Sequence, residues 1–130
     1  MTLIDMRDWL ASELGTEEIT IGKIDGGAQQ VLGVFPLNVS NRQRVAIGGL
    51  PQTLVEQTGM RILVHWTNDL AETEAVASAV YDLFYAKTNT QIGATRVYLL
   101  DPKAEPIYLG TDSRGVYEYV IEVTLTHERS

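Results

Sequence analysis

The chain has 130 residues, 45% of them hydrophobic and 21% charged, and a net charge of -7. Those proportions belong to one globular domain spanning residues 1–130 rather than to a disordered chain, and no apolar run approaches the length of a membrane span. The absence of cysteine excludes disulfides, thiolate metal sites and a cysteine nucleophile.

The charge is uneven. Residues 1–65 carry five basic and seven acidic side chains, and residues 66–130 carry five basic and ten acidic. Neutralising phosphates needs clustered Lys and Arg. The nearest such pair, Arg42 and Arg44, stands alone among polar neighbours, so non-specific nucleic-acid binding is disfavoured. The opening residues MTLIDMRDWLASEL contain acids and no apolar core of signal-peptide length. The expectation is a soluble protein that stays in the compartment where it is made.

Thr2 is placed to cap a first helix, with Asp5 in its first turn. Leu3, Met6, Leu10 and Leu14 recur at helical spacing, with Trp9 beside them, and Gly15 stands where a left-handed residue commonly ends a helix. Residues 17–24 alternate as a strand, and Val31 to Phe35 is a second apolar run. With Asp25-Gly26-Gly27 between them, the two read as a hairpin. Asn38 to Arg44 is a polar loop. Arg44 to Ile47 reads as a short strand, and the glycine pair after it lacks the spacing of a phosphate-binding loop. Met60 to Trp66 is a strand with Ile62, Val64 and Trp66 on one face.

Asp69 with Glu72 resembles a capping box. Val76, Ala79, Val80, Leu83 and Phe84 then form the stripe of a second helix that runs to about Lys87. Gln91 to Leu100 contains a further strand, Pro106 to Leu109 a short one, and Gly110 to Gly115 a polar turn. The last strand is the clearest. Tyr117, Tyr119, Ile121, Val123 and Leu125 alternate with Glu118, Val120, Glu122, Thr124 and Thr126, so one face is apolar and the other largely polar. The whole reads as an α+β domain, a mixed and largely antiparallel sheet carrying two helices on one face.

No catalytic constellation emerges. The two histidines, His65 and His127, lie in strands, and no serine stands in a nucleophile motif. His65 with Asp69 supplies two metal-ligand types, too few for a closed site, and His127-Glu128 reads as a solvated chain end. Glu118 and Glu122 share a strand face about 13 Å apart, too far for a paired acid and base. They read as an exposed sheet face or as the wall of a channel. No cofactor or metal is expected, and catalytic residues are none. The tyrosines, including Tyr81 and Tyr85 on one helix face, suit an interaction surface or a small core.

Three stretches carry a resemblance: Arg44 to Leu50 (RVAIGGL), Ile62 to Glu74 (ILVHWTNDLAETE) and Gly110 to Arg129. They are similar to the minor capsid proteins of tailed bacteriophages that act as tail terminators, or tail-to-head joining proteins. The resemblance implies a non-enzymatic virion protein with helices against a mixed sheet. It implies a ring, usually a hexamer, that stops tail-tube growth and meets the head connector, with double-stranded DNA passing through an acidic lumen without specific binding. The partners are then the protein itself, the major tail protein and the connector. The particle is assembled in the bacterial cytoplasm, with no membrane involved.

The residues expected at contacts are Asn38, Ser40, Arg42 and Arg44 in the polar loop, Thr111, Asp112 and Arg114 in the turn, and Tyr117. Glu118 and Glu122 are the acids expected to face the lumen or a neighbour. Two alternatives stand beside this reading. One is a head-completion or connector (stopper) protein of the same particle. The other is a small enzyme or ligand-binding module using His65, Asp69 and Arg61.

Overall fold

A computed structural model describes residues 1–24, 28–37, 45–46 and 54–128. Helix α1 (Leu3–Leu14) begins with the expected Thr2 cap, and Asp5 makes the cap reciprocal. Thr2 Oγ1 accepts the Asp5 N–H at 3.2 Å, and the Asp5 carboxylate accepts the Thr2 N–H at 3.0 Å. Two donors left over at the helix start are thereby satisfied. The helix ends at Gly15, whose φ of 69° places it in the left-handed region while its N–H donates to Ala11 O. Met6 and Leu10 of the predicted stripe are fully buried.

The strands are β1 (Ile19–Ile21), β2 (Val31–Leu37), β3 (Val45–Ala46), β4 (Leu54–His65), β5 (Thr88–Ile92), β6 (Thr95–Pro102), β7 (Ile107–Thr111) and β8 (Tyr117–Glu128), with α2 (Leu70–Ala86) between β4 and β5. Among the described residues they form one sheet in the order β1-β2-β4-β8-β6-β5, with β3 beside β4 and β7 beside β8. The fold is α+β, as expected. Its sheet is antiparallel except at one pair, and that pair corrects the predicted hairpin. β1 runs parallel to β2, with Ile19 opposite Leu32 and Ile21 opposite Val34. The stretch between the strands gives the chain enough length to return and restart in the same direction. Gly22 (φ 73°) leaves the edge while its N–H donates to Val34 O at 2.8 Å. The turn triplet at residues 25–27 lies outside the described residues.

Three more boundaries differ from the periodicity. The run 91–100 is two strands, β5 and β6, paired as a hairpin about Gly93 (φ 60°) with Ile92 opposite Thr95. β4 starts at Leu54, six residues before its strong alternation. β8 stays central to its end, flanked by β4 and β6 as far as His127, which is opposite Glu56 and Val97. His127 is therefore not a solvated chain end: it is 2% exposed. Its ring nitrogens lie 2.7 Å from Thr58 Oγ1 and 2.7 Å from Glu128 O, as burial of a polar ring requires.

Asp69 caps α2 by accepting the Glu72 N–H at 3.2 Å. The Glu72 carboxylate does not close the box but accepts from Trp66 Nε1 at 3.2 Å. The buried stripe of α2 is Thr73, Ala77, Val80 and Phe84, with Val76 and Leu83 at its border and Ala79 exposed. The apolar pattern thus placed Val80 and Phe84 correctly and missed Thr73 and Ala77. Thr73 sits in the core because its hydroxyl donates to Asp69 O at 3.0 Å.

Both helices cover one face of the sheet. That face presents Leu32, Val34, Met60, Ile62, Val64, Tyr119, Ile121, Val123 and Leu125, and the Trp9 and Phe84 rings stack at 6.1 Å between the helices. Each such side chain contributes about 1.5–3 kcal/mol by leaving water.

Gly93 ties α1 to the β5–β6 turn, since a Cβ there would sit 2.7 Å from the Asp5 carboxyl. Gly93→Ala is expected to cost at least about 1–2 kcal/mol for the left-handed backbone alone, and more because it displaces the Asp5 cap. Urea denaturation of the variant beside wild type measures this.

Candidate assembly surface

The face of the sheet opposite the helices is built by the β4–β8 register. Arg61 stands opposite Glu122, Leu63 opposite Val120 and His65 opposite Glu118. An ion pair, an apolar pair and a histidine–carboxylate pair thus follow one another along the two strands. Arg61 Nη2 and Nε donate to Glu122 Oε2 at 2.8 and 3.2 Å. The pair is open to solvent, with side chains 45% and 28% exposed, so it is worth at most about 1 kcal/mol.

His65 is only 4% exposed. Its Nδ1 lies 2.9 Å from Glu118 Oε2, and its Nε2 lies 2.8 Å from Ala28 O and 3.6 Å from Asp112 Oδ2. Both ring nitrogens face acceptors. The ring is thus held on both sides. It joins the chain before β2, the end of β4, the start of β8 and the turn between β7 and β8.

That turn is organised by Asp112. Its Oδ1 accepts the N–H groups of Arg114 (2.8 Å) and Val116 (3.0 Å), while its backbone exchanges hydrogen bonds with Val116 O and the Gly115 N–H. Gly115 has φ 82°. The Val116 N–H, most of all, holds the Asp112 carboxyl below its ordinary range. Desolvation opposes this, and the Arg114 N–H, His65 and the Arg114 side chain add to the lowering.

Beside the paired charges runs an apolar groove of about 490 Å³, lined by Phe35, Leu63, Val120, Ile107 and Leu109 with Arg61 and Glu122. The Phe35 ring reaches over Gly33, where a Cβ would meet it at 2.8 Å. Phe35 and Leu63 also border a second cavity of about 550 Å³, which ends among Lys23, His65, Asp112, Arg114 and Glu118. On the opposite face Tyr108 packs against Tyr119 and Tyr117 at 5.4 and 6.4 Å, and the Tyr119 hydroxyl donates to Glu74 at 3.4 Å. Burial, followed by the Glu74 charge, raises the Tyr119 phenol above its usual range.

Of the residues expected at contacts, Asn38, Ser40, Arg42 and Arg44 lie outside the described residues. Thr111, Asp112, Arg114 and Tyr117 come together at the turn, with Thr111 opposite Tyr117. Glu118 and Glu122 lie on the open face, half-buried and each engaged by a basic side chain of β4. Thr124, expected on a wet face, is buried between β4 and β6. Asp69 is a helix cap rather than a partner of His65, and among the described residues no group of three or more His, Asp or Glu could hold a metal ion. The joining of His65, Asp112 and Glu118 was not foreseen. His65 is far in sequence from Asp112 and Glu118, and only the strand register brings it to them.

Because the Asp112 carboxyl is lowered in the folded state, its charge stabilises the fold above the ordinary carboxylate range, and this contribution is lost as pH falls through the folded value. Asp112→Asn keeps the acceptor oxygen but removes the charge. The variant is expected to be less stable than wild type at about pH 7, with the gap closing as pH falls below the ordinary carboxylate range. Urea melts across that range measure it.

No curated protein sequence shows a significant match to the chain. The family model described as bacteriophage tail terminator protein matches residues 5–129.

Proposed function

The chain belongs to the bacteriophage tail terminator family, and from that premise we propose that it closes into a homo-oligomeric ring, six copies in the form the resemblance implies, that ends the tail tube. Membership makes it a structural component of the virion, with an assembly role at the head–tail junction and not an enzymatic one. The finer reading concerns how it performs that role. Its 130 residues act as one domain and assemble in the host cytoplasm. One rim of the ring seats on the last layer of the major tail protein, the other meets the head connector, and double-stranded DNA passes through without specific contacts.

The match across nearly the whole chain carries this reading. The surface supports it. The turn 111–115 is stiffened by Asp112 and anchored through His65 to three other segments, so it can present Thr111 and Arg114 to a neighbour with little ordering cost. Asn38, Ser40, Arg42 and Arg44 are the second contact in this proposal. The open-face acids serve a different purpose from bare lumen charges. Glu118 and Glu122 are engaged by His65 and Arg61, so they offer a neighbour a hydrogen-bonding strip. Uncompensated acid gathers instead on the helix side, where Glu74, Asp82 and Glu105 line a cavity of about 470 Å³.

Negative-stain imaging of the protein mixed with tail tubes is expected to show a ring closing each tube. Phage lacking the protein are expected to make overlong tails that do not join heads. Tails of normal length beside heads that leak DNA would refute the terminator role in favour of a stopper.

A further inference from the structure

Two of the outer strands of the sheet match each other. Among the described residues β7 pairs only with β8, and β1 only with β2. Edge strands are usually blunted by charge or proline because their unpaired N–H and C=O groups recruit other strands. β7 reads Ile-Tyr-Leu-Gly-Thr and β1 reads Ile-Thr-Ile, with neither charge nor proline. Ile107, Tyr108 and Leu109 are 42%, 52% and 52% exposed.

The register places these edges at one height. Ile19 is opposite Leu32, Leu32 opposite Val64, Val64 opposite Tyr119, and Tyr119 opposite Tyr108. The next row runs Thr20, Gly33, Leu63, Val120, Ile107 on the open face. The strand senses also fit. Counting across the antiparallel pairs and the one parallel pair, β1 runs opposite to β7. When copies are related by rotation about an axis roughly along the strands, β7 of one lies antiparallel to β1 of the next, without a vertical shift. The other outer strands, β5 and β3, have the same sense as β1 and stand toward the far end of β8, so neither offers this match.

We infer that the ring is sealed by strand addition, β7 of each copy pairing antiparallel with β1 of a second copy, Tyr108 beside Ile19 and Ile107 beside Thr20. The inference rests on the ring reading and names its seam. A head-to-tail contact of this kind uses two different surfaces and closes when its rotation closes. Main-chain hydrogen bonds supply the attraction. The side chains flanking the seam, Ile107 and Leu109, extend the apolar groove to the joint.

The chain has no native cysteine, so a disulfide tests the seam directly. Neighbouring strands hold opposed Cα atoms about 4.5–5.5 Å apart, within disulfide reach. The double variant Thr20→Cys with Ile107→Cys, oxidised in the presence of tail tubes, is expected to give a covalent ladder up to the full ring on a non-reducing gel. Each single variant is expected to stay unlinked. Ile107→Lys, at an exposed position, is expected to keep the wild-type circular dichroism spectrum and to lose the ring.

Wild-type rings together with an unlinked double variant, or with intact rings of Ile107→Lys, would place the seam elsewhere and leave the ring reading standing. Covalent dimers of Ile107→Cys alone would show a β7-to-β7 contact and overturn the proposal. Wild-type protein that forms no ring even on tail tubes would overturn both.

Discussion

The pairing of β4 with β8, continuous from Val55 opposite Glu128 to His65 opposite Glu118, is the constraint on which the structure depends. Side chains alternate with period two, so one register fixes both faces at once. It aligns Met60, Ile62 and Val64 with Val123, Ile121 and Tyr119 beneath the helices. It also aligns Arg61, Leu63 and His65 with Glu122, Val120 and Glu118 on the open side. A slip by one residue would put Arg61 into the core and Ile62 into water. The apolar face alone would resist that strongly, and the charge-matched order on the other face adds a second penalty for mispairing.

The two faces differ in how they are held. The helix face is closed by aliphatic and aromatic packing that has no directional requirement. The open face uses a few directional contacts around apolar side chains that remain partly uncovered. His65 is the most consequential of them, since its burial is tolerable only with acceptors at both nitrogens. Those acceptors come from Glu118 and from the chain around Ala28 and Asp112. The turn between β7 and β8 is thus coupled to the centre of the sheet rather than hanging from its own strands. A stiff turn beside an uncharged edge strand suits a structural protein of the virion. No chemistry has to be placed there.

Much of this was legible in the amino-acid sequence, because the physics involved is local. Thr2 and Asp5 form a capping box wherever a helix follows, Gly15 accepts a left-handed turn at little cost, and the alternation from Tyr117 to Leu125 admits one inward face. The two helices, the α+β class and the two-sided last strand all follow from such short-range patterns. What the sequence left undecided is what distant segments determine together. The parallel sense of β1 against β2 depends on where the chain returns, not on either strand's composition. The division of β5 from β6 rests on a tight turn at left-handed Gly93, which the apolar pattern on either side does not mark. The burial of His127 depends on β4 reaching back to Leu54, so that the end of β8 stays flanked on both sides. Likewise His65, Asp112 and Glu118 become one cluster, and β1 and β7 become edges at one height, only when the β4–β8 register is set, because contact across a sheet is a property of pairing and leaves no trace in the spacing along the chain.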